Sequence, residues 1–160
     1  MYELEVSVYI IFSIYTFFLI FTIYCISGQE NFEELFLYSD SKRITQILLN
    51  LLSNSLKFTE KGGVLLTVKL QENSDTHSKL YFEVLDTGIG IASGKTSEIF
   101  DEFKQINNDN NRNYEGTGLG LSISKQLVEK LGGNLQIESV LGEYTKAFFT
   151  ISVENGKSEI

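Results

Sequence analysis

The sequence predicts an α/β domain behind an apolar leader helix, and three observations predict it. Residues 42–58 have the apolar period of a helix, residues 64–70 and 80–85 alternate as strands do, and residues 122–131 form a second amphipathic helix stopped by Gly132-Gly133. The chain has 160 residues, 42% apolar and 21% charged, enough to bury one core. With 13 basic against 21 acidic residues its net charge is −8. That balance argues against nucleic acid as a partner, so an anionic ligand would need a local pocket. Proline is absent and Cys25 is the only cysteine, which removes an intrachain disulfide and a cysteine metal cage.

The leader, residues 1–29, contains 24 consecutive residues, 6–29, without Asp, Glu, Lys or Arg. Within 6–26, 17 of 21 residues are apolar, long enough for one membrane-spanning helix. Lys42 and Arg43 follow on its C-terminal side, which favours a membrane-associated, single-pass chain with a cytoplasmic domain after the span, the alternative being a cytoplasmic protein. Two other readings stand beside it. The run is also compatible with a buried helix or strand pair of the core, and its Ile/Phe/Tyr/Thr/Ser bias is what translated AT-rich non-coding sequence gives. A globular domain is expected over 30–154, with a polar tail at 155–160.

Asp40 or Ser41 is the expected N-cap of the first helix. Ile44, Ile47, Leu48, Leu51, Ser55 and Phe58 cluster on one arc, with Leu49, Leu52 and Leu56 flanking. On the remaining arc Gln46, Asn50, Asn54 and Lys57 follow at spacings of 4, 4 and 3 residues and form one stripe. A solvated face is the ordinary explanation of a polar stripe. Asn, however, is a poor residue in a helix interior, and amide oxygens ending in an ammonium suit Mg²⁺ held beside phosphates with few protein ligands. The helix therefore reads as one wall of a nucleotide cleft.

Lys61-Gly62-Gly63 makes a turn into the first strand, and residues 71–78 read as a hairpin connection containing the only histidine, His77, an ordinary surface residue by position. The second strand runs into Asp86-Thr87-Gly88-Ile89-Gly90-Ile91. Glycines two and four residues after a carboxylate let backbone approach a flat ligand, while the carboxylate accepts from an exocyclic amine. An ordinary strand-ending turn competes with that reading, and Asp-Thr-Gly also raises a dimeric aspartic protease. Further on, Gly116-Thr117-Gly118-Leu119-Gly120-Leu121 opens the second helix. Alternate glycines at a helix start expose backbone N–H groups at its positive end, a phosphate site. Between the two glycine motifs, residues 107–113 hold five Asn, Asp109 and Arg112. They read as a disordered segment or as a lid from which Arg112 reaches phosphate.

Taken in this order, the motifs resemble the ATP-binding catalytic domain of sensor histidine kinases, in the superfamily shared with DNA gyrase, the Hsp90 chaperones and MutL. The N box is 46–59, the first glycine box 86–91, the F box 99–103 and the last glycine box 116–121. The resemblance implies a two-layer α/β sandwich of the Bergerat type, a mixed sheet of about five strands with helices on one face, and ATP and Mg²⁺ as cofactors. By the same resemblance Asn54 coordinates Mg²⁺ with Asn50 assisting, and Lys57 contacts phosphate. Asp86 reads the adenine amine, Gly88 and Gly90 border the base, and Gly116, Thr117, Gly118, Leu119 and Gly120, with Arg112, hold the phosphates. Phe100 and Phe103 pack the lid's hinge. Ser41, Ala92 and Glu102 stand where relatives often have proline.

The hydrolytic branches of the superfamily carry a glutamate base where this chain has Asn50, which cannot accept a proton. The resemblance thus implies a protein-histidine kinase in a two-component phosphorelay. Its partner is a histidine-bearing dimerisation domain or partner kinase chain, with a receiver domain downstream. The family's His-Glu phosphoacceptor pair does not occur in these residues, so phosphate would pass to a histidine outside them. The alternative is a non-catalytic ATP-binding regulator or a remnant of a hybrid histidine kinase.

Overall fold

In a computed structural model of the chain, residues 4–12, 21–27, 37–96, 98–101 and 118–155 are described. In chain order they form β1 (Leu4–Phe12), β2 (Phe21–Ser27), β3 (Leu37–Tyr38), α1 (Ser41–Phe58), β4 (Val64–Asn73), β5 (His77–Asp86), a 3-10 turn (Glu98–Phe100), α2 (Gly120–Lys130), β6 (Gln136–Val140) and β7 (Tyr144–Asn155). The two amphipathic helices and the two central strands expected after the leader are present, each somewhat longer than its periodicity alone indicates. Asp40 caps α1, its Oδ1 accepting from the Arg43 N–H at 3.1 Å. Gly132, at φ 78°, closes α2, its N–H donating to the Glu129 carbonyl at 3.0 Å.

The seven strands form one sheet in the order β2-β1-β4-β5-β7-β3, with β6 also paired to β7. β7 pairs with β5 along most of its length and, on its other edge, with β6 near its start and β3 at its end. Every pairing among the described residues is antiparallel. This corrects the expected mixed sheet of about five strands. Local alternation shows that a strand exists and which face it buries, but not the direction of its neighbour.

The leader is the larger correction. Its described parts are two strands in an antiparallel pair, with β1 also pairing along β4, instead of one helix. An apolar run without a polar period does not distinguish a helix from buried strands. Val6, Val8, Ile10, Ile11, Thr22, Ile23 and Ile26 are β-branched and favour the extended form. Among the described residues no helix is long and apolar enough to cross a membrane.

The core lies between one face of the sheet and the two helices. Ile47 and Leu51 of α1 and Val128 of α2 meet Val64, Phe82, Val84, Phe149, Ile151 and Val153. Phe82 and Phe149 stack at 4.9 Å between ring centres. Leu49, expected to flank the buried arc, is 61% exposed. On the opposite face Tyr81 donates to Glu83 at 2.5 Å, and Lys146 pairs with Glu138 while lying 5.0 Å from the Phe148 ring centre. The same alternation that turns those polar side chains outward turns Asp86, at the end of β5, inward toward α1.

Candidate functional site

The helical period places the Asn stripe on the side of α1 that meets the start of α2. Asn50, Asn54 and Lys57 are half-buried, and Gln46 is exposed. An added Cβ on Gly120 would stand 3.9 Å from Asn54 Nδ2 and 4.0 Å from Asn50 Cγ. Asn50 Nδ2 donates to the Gly120 carbonyl oxygen and to Ser124 Oγ, each at 3.3 Å. Gly118 turns the chain into α2 at φ 70°, a left-handed conformation that glycine adopts freely. Among the described residues no side chain caps α2 at its N-terminus: Leu119 precedes the helix, and Ser122 Oγ donates back to the Leu119 carbonyl at 2.9 Å. Its first N–H groups form the positive end of the helix, where an anion is favoured. Lys57 Nζ lies 5.2 Å from the Phe58 ring centre, near the C-terminal end of the stripe.

The second half of the site lies where β5 meets the end of α1. Asp86 is 4% exposed, and its Oδ1 accepts from the Gly88 N–H at 3.0 Å. Burial pushes the carboxyl above the ordinary carboxylate range, while hydrogen bonds from the Gly88 amide, the Ser55 hydroxyl and the Thr145 backbone pull it back. The Thr59 hydroxyl lies close enough to act in the same direction. Its Oγ1 is nonetheless buried with no hydrogen bond of good geometry among the described residues. A buried carboxyl beside an orphaned hydroxyl has capacity for a further polar group, such as an amine.

The turn after Asp86 is held on three sides. The Ile89 N–H donates to the Phe58 carbonyl at 3.1 Å, the Thr87 N–H to the Gly63 carbonyl at 3.1 Å, and the Gly142 N–H to the Ile89 carbonyl at 2.7 Å. The Ile91 N–H donates to Ser139 Oγ at 2.8 Å. Gly90, at φ 65°, approaches so closely that an added Cβ would lie 2.0 Å from the Val140 carbonyl oxygen.

The structure thus brings Asn50, Asn54, Gly118, Leu119 and Gly120 together at one end of the site, and Asp86, Gly88 and Gly90 at the other. Phe100 packs on the core, with Lys125 Nζ 5.3 Å from its ring centre. Arg112, Gly116, Thr117 and Phe103 lie outside the described residues. His77 is the first residue of β5 rather than part of a connection, and Asp86 is the last. Nine residue steps along the strand separate them, about 30 Å. The aspartic-protease alternative does not fit, because Asp86 is buried beneath the end of α1 rather than set open on a symmetric surface.

Among the described residues no group of three or more His, Cys, Asp or Glu could hold a metal. What the site offers is amide oxygen from Asn50 and Asn54, a donor set that fits a hard ion sharing its coordination with ligand phosphates and water.

Residues 39–155 match the family described as histidine kinase-, DNA gyrase B-, and HSP90-like ATPase. The chain belongs to this ATPase family. It is 48% identical over 112 residues to hybrid signal transduction histidine kinase B of Dictyostelium discoideum, covering 70% of this chain and 6% of that protein. It is 46% identical over 105 residues to the circadian input-output histidine kinase CikA of Synechococcus elongatus, covering 66% of this chain and 13% of that one. The chain therefore spans a small part of the length of these relatives. Full-length ShkA, solved in complex with AMPPNP, matches with a TM-score of 0.61 and 33% identity over 78% of this chain and 24% of that one. The catalytic domain of histidine kinase ThkA matches with a TM-score of 0.55 and 29% identity over 71% of this chain and 69% of that one.

In this member of the ATPase family four side chains complete the site that sequence reading did not single out. They are Ser55 and Thr59 beside Asp86, Ser124 beside Asn50, and Ser139 beneath Ile91. One signal was available: Ser55 stands among the apolar residues of the α1 arc that the helical period buries. Hydroxyls in such positions are normally hydrogen-bonded.

Proposed function

We propose that this chain is the ATP-binding catalytic domain of a histidine protein kinase. It presents Mg²⁺-ATP for transfer of the γ-phosphoryl group to a histidine on a dimerisation domain or partner kinase chain, from which a receiver domain takes it on. One observation carries the reading: α1 joins two unlike half-sites. Near its middle the Asn50 and Asn54 amides abut the N-terminus of α2, and at its end the buried Asp86 carboxyl sits beside the buried Thr59 hydroxyl, which has no hydrogen bond of good geometry among the described residues. A purine amine and a phosphate chain differ in the same way. The likeness to ShkA, solved in complex with the ATP analogue AMPPNP, adds support.

In this reading Asp86 accepts from the adenine amine and Thr59 supplies a second polar contact. Gly88 and Gly90 leave room for the flat base. The α2 N–H groups and the 116–120 backbone hold phosphate oxygens, with Lys57 and Arg112 as cationic partners. Asn54, assisted by Asn50, offers oxygen to the metal. Bound Mg²⁺ would neutralise charge on the phosphate oxygens during transfer. Asn50 cannot take a proton, so these residues do not activate water. They orient a phosphoryl group toward an imidazole that comes from elsewhere. His77 does not serve, since it lies at the far end of β5 from Asp86.

The test is phosphotransfer from γ-labelled ATP to an added histidine-bearing dimerisation domain. Acid-labile label on that domain, lost with Asn54→Ala, is the expected result. ATP binding without transfer would favour the non-catalytic regulator, and absence of ATP binding would sink both readings.

A further inference from the structure

We infer that Ser124 is a positioning residue for Asn50. It fixes the side-chain amide so that Asn50 Oδ1 is the atom left for a divalent cation, and it thereby couples cation binding on α1 to the placement of α2. The inference rests on the nucleotide-binding reading above.

Both hydrogens of the Asn50 amide are engaged by α2. Nδ2 donates to the Gly120 carbonyl oxygen and to Ser124 Oγ, both at 3.3 Å, and these two acceptors use the amide's whole donor capacity. A backbone carbonyl can only accept, so an inverted amide would set oxygen against oxygen at Gly120. Chemistry therefore dictates the orientation, although an amide's shape alone would not. Gly120 and Ser124 are four residues apart and share one face of α2. One acceptor would leave the amide free to swing about its Cβ–Cγ bond, whereas two acceptors on the same helix face fix its plane.

Ser124 has no evident purpose as a packing residue. It is 0% exposed in the interior of α2, where Ala has the higher helix propensity. Being dry, its hydroxyl has no solvent to turn to, and Asn50 supplies the bond it needs. With both hydrogens committed to α2, the amide oxygen is the remaining polar atom of Asn50, and an amide oxygen is a ligand suited to Mg²⁺. Gly120 lies against both Asn50 and Asn54, so the two amides and the opening turn of α2 form one unit. A shift of α2 would turn the Asn50 amide, and a cation held by that amide would in turn resist the shift.

The experiment measures ATP binding by the full chain in EDTA and across a series of Mg²⁺ concentrations, for the native chain, Ser124→Ala, Ser124→Thr, Asn50→Ala and the double variant S124A/N50A. Ser124→Ala is expected to melt somewhat below the native chain, since a part-buried donor of Asn50 loses its acceptor, and, assayed where both chains are folded, to lose less ATP affinity in EDTA than in Mg²⁺. It should need roughly three- to tenfold more Mg²⁺ for half-maximal enhancement, the size of effect expected from one lost hydrogen bond. Ser124→Thr, which keeps the hydroxyl, should restore most of the response. In the Asn50→Ala background the loss of Ser124 should change the Mg²⁺ response no further. Equal effects of Ser124→Ala in EDTA and in Mg²⁺, or an effect that persists undiminished without Asn50, would overturn the inference. A native chain that binds no ATP under either condition would overturn the nucleotide reading and this inference with it. Normal Mg²⁺-ATP binding by both the native chain and Ser124→Ala would overturn the inference alone.

Discussion

Gly88 approaches the end of α1 so closely that an added Cβ would stand 2.4 Å from the Phe58 carbonyl oxygen and 2.8 Å from Asp86 Oδ1. The same carbonyl accepts the Ile89 N–H. The first glycine turn and the helix that bears the Asn stripe are thus joined through backbone, and the distance between the two half-sites is set there.

Gly88→Ala should therefore destabilise the fold. Its Cβ meets backbone on one side and the carboxyl on the other, and neither yields cheaply, so the cost is about 1–3 kcal/mol by denaturant unfolding. Gly120→Ala is the contrasting case. Its Cβ would find its neighbours at 3.9 and 4.0 Å, ordinary contact distances, and the fold should survive it without loss. Equal destabilisation by the two variants would contradict the close approach at Gly88.

Asp86→Asn separates stability from binding. Because burial raises the folded carboxyl above its unfolded value, the folded state binds its proton more tightly. The stability this group contributes is complete below the unfolded pKa and is lost as pH rises through the folded one. At neutral pH the ionised carboxylate is therefore a cost that Asn does not carry. The ligand-free variant should melt at or above the native temperature at pH 7, with the advantage shrinking toward about pH 4. ATP affinity should fall by about tenfold or more, since an amine loses a charged acceptor. A lower melting temperature at pH 7 would show that the carboxylate's hydrogen bonds outweigh its burial.

Much of this was legible in the residues themselves. The 3.6-residue period of α1 carried its cap, its buried Ile47 and Leu51 and its Asn stripe, because each depends only on neighbours along one helix. The glycine turns were legible for the same reason: Gly88 and Gly90 are local demands of the backbone. What escaped depends on partners distant in sequence. Ser124 meets Asn50 across 74 residues, and Ser139 meets Ile91 across 48. No periodicity links them. β4 and β5 run past their apolar alternation because their polar ends are tied by Lys79 to Glu72 and by Ser78 to Asn73 and Asn155. The strands of the leader escaped for another reason: a run apolar on every side carries no period to decide between the two backbones.

Ser139 joins the turn of the β6–β7 hairpin to the end of the glycine loop. Its Oγ accepts from the Ile91 N–H at 2.8 Å and donates to the Tyr144 carbonyl at 2.6 Å. Ser139→Ala leaves both backbone groups without that partner. The expected stability loss is about 1–3 kcal/mol. A local signature should accompany it: the Ile91 amide should exchange with solvent faster, relative to the native chain, than the Thr87 amide, which keeps its bond to Gly63. Uniform acceleration across both amides would mean that the substitution acts through global unfolding instead.

Asn50→Asp tests the α1–α2 contact most directly, because the two side chains have nearly the same shape. The carboxylate cannot donate, so the Gly120 carbonyl loses its partner and faces a negative oxygen, and Ser124 Oγ must reverse its role. Unfolding stability at pH 7 should fall by about 1–3 kcal/mol relative to the native chain. The new carboxyl gains from protonation in the folded state, where one O–H can donate to Gly120 again, so its folded pKa lies above the unfolded value of about 3.9. Its deficit is therefore largest above the folded pKa and should narrow as pH falls through it. Denaturant unfolding of both chains at pH 7 and near pH 4 measures this difference. A variant as stable as the native chain at pH 7 would mean that Asn50 does not hold α2, and a deficit independent of pH would place the damage in packing rather than in the lost donors.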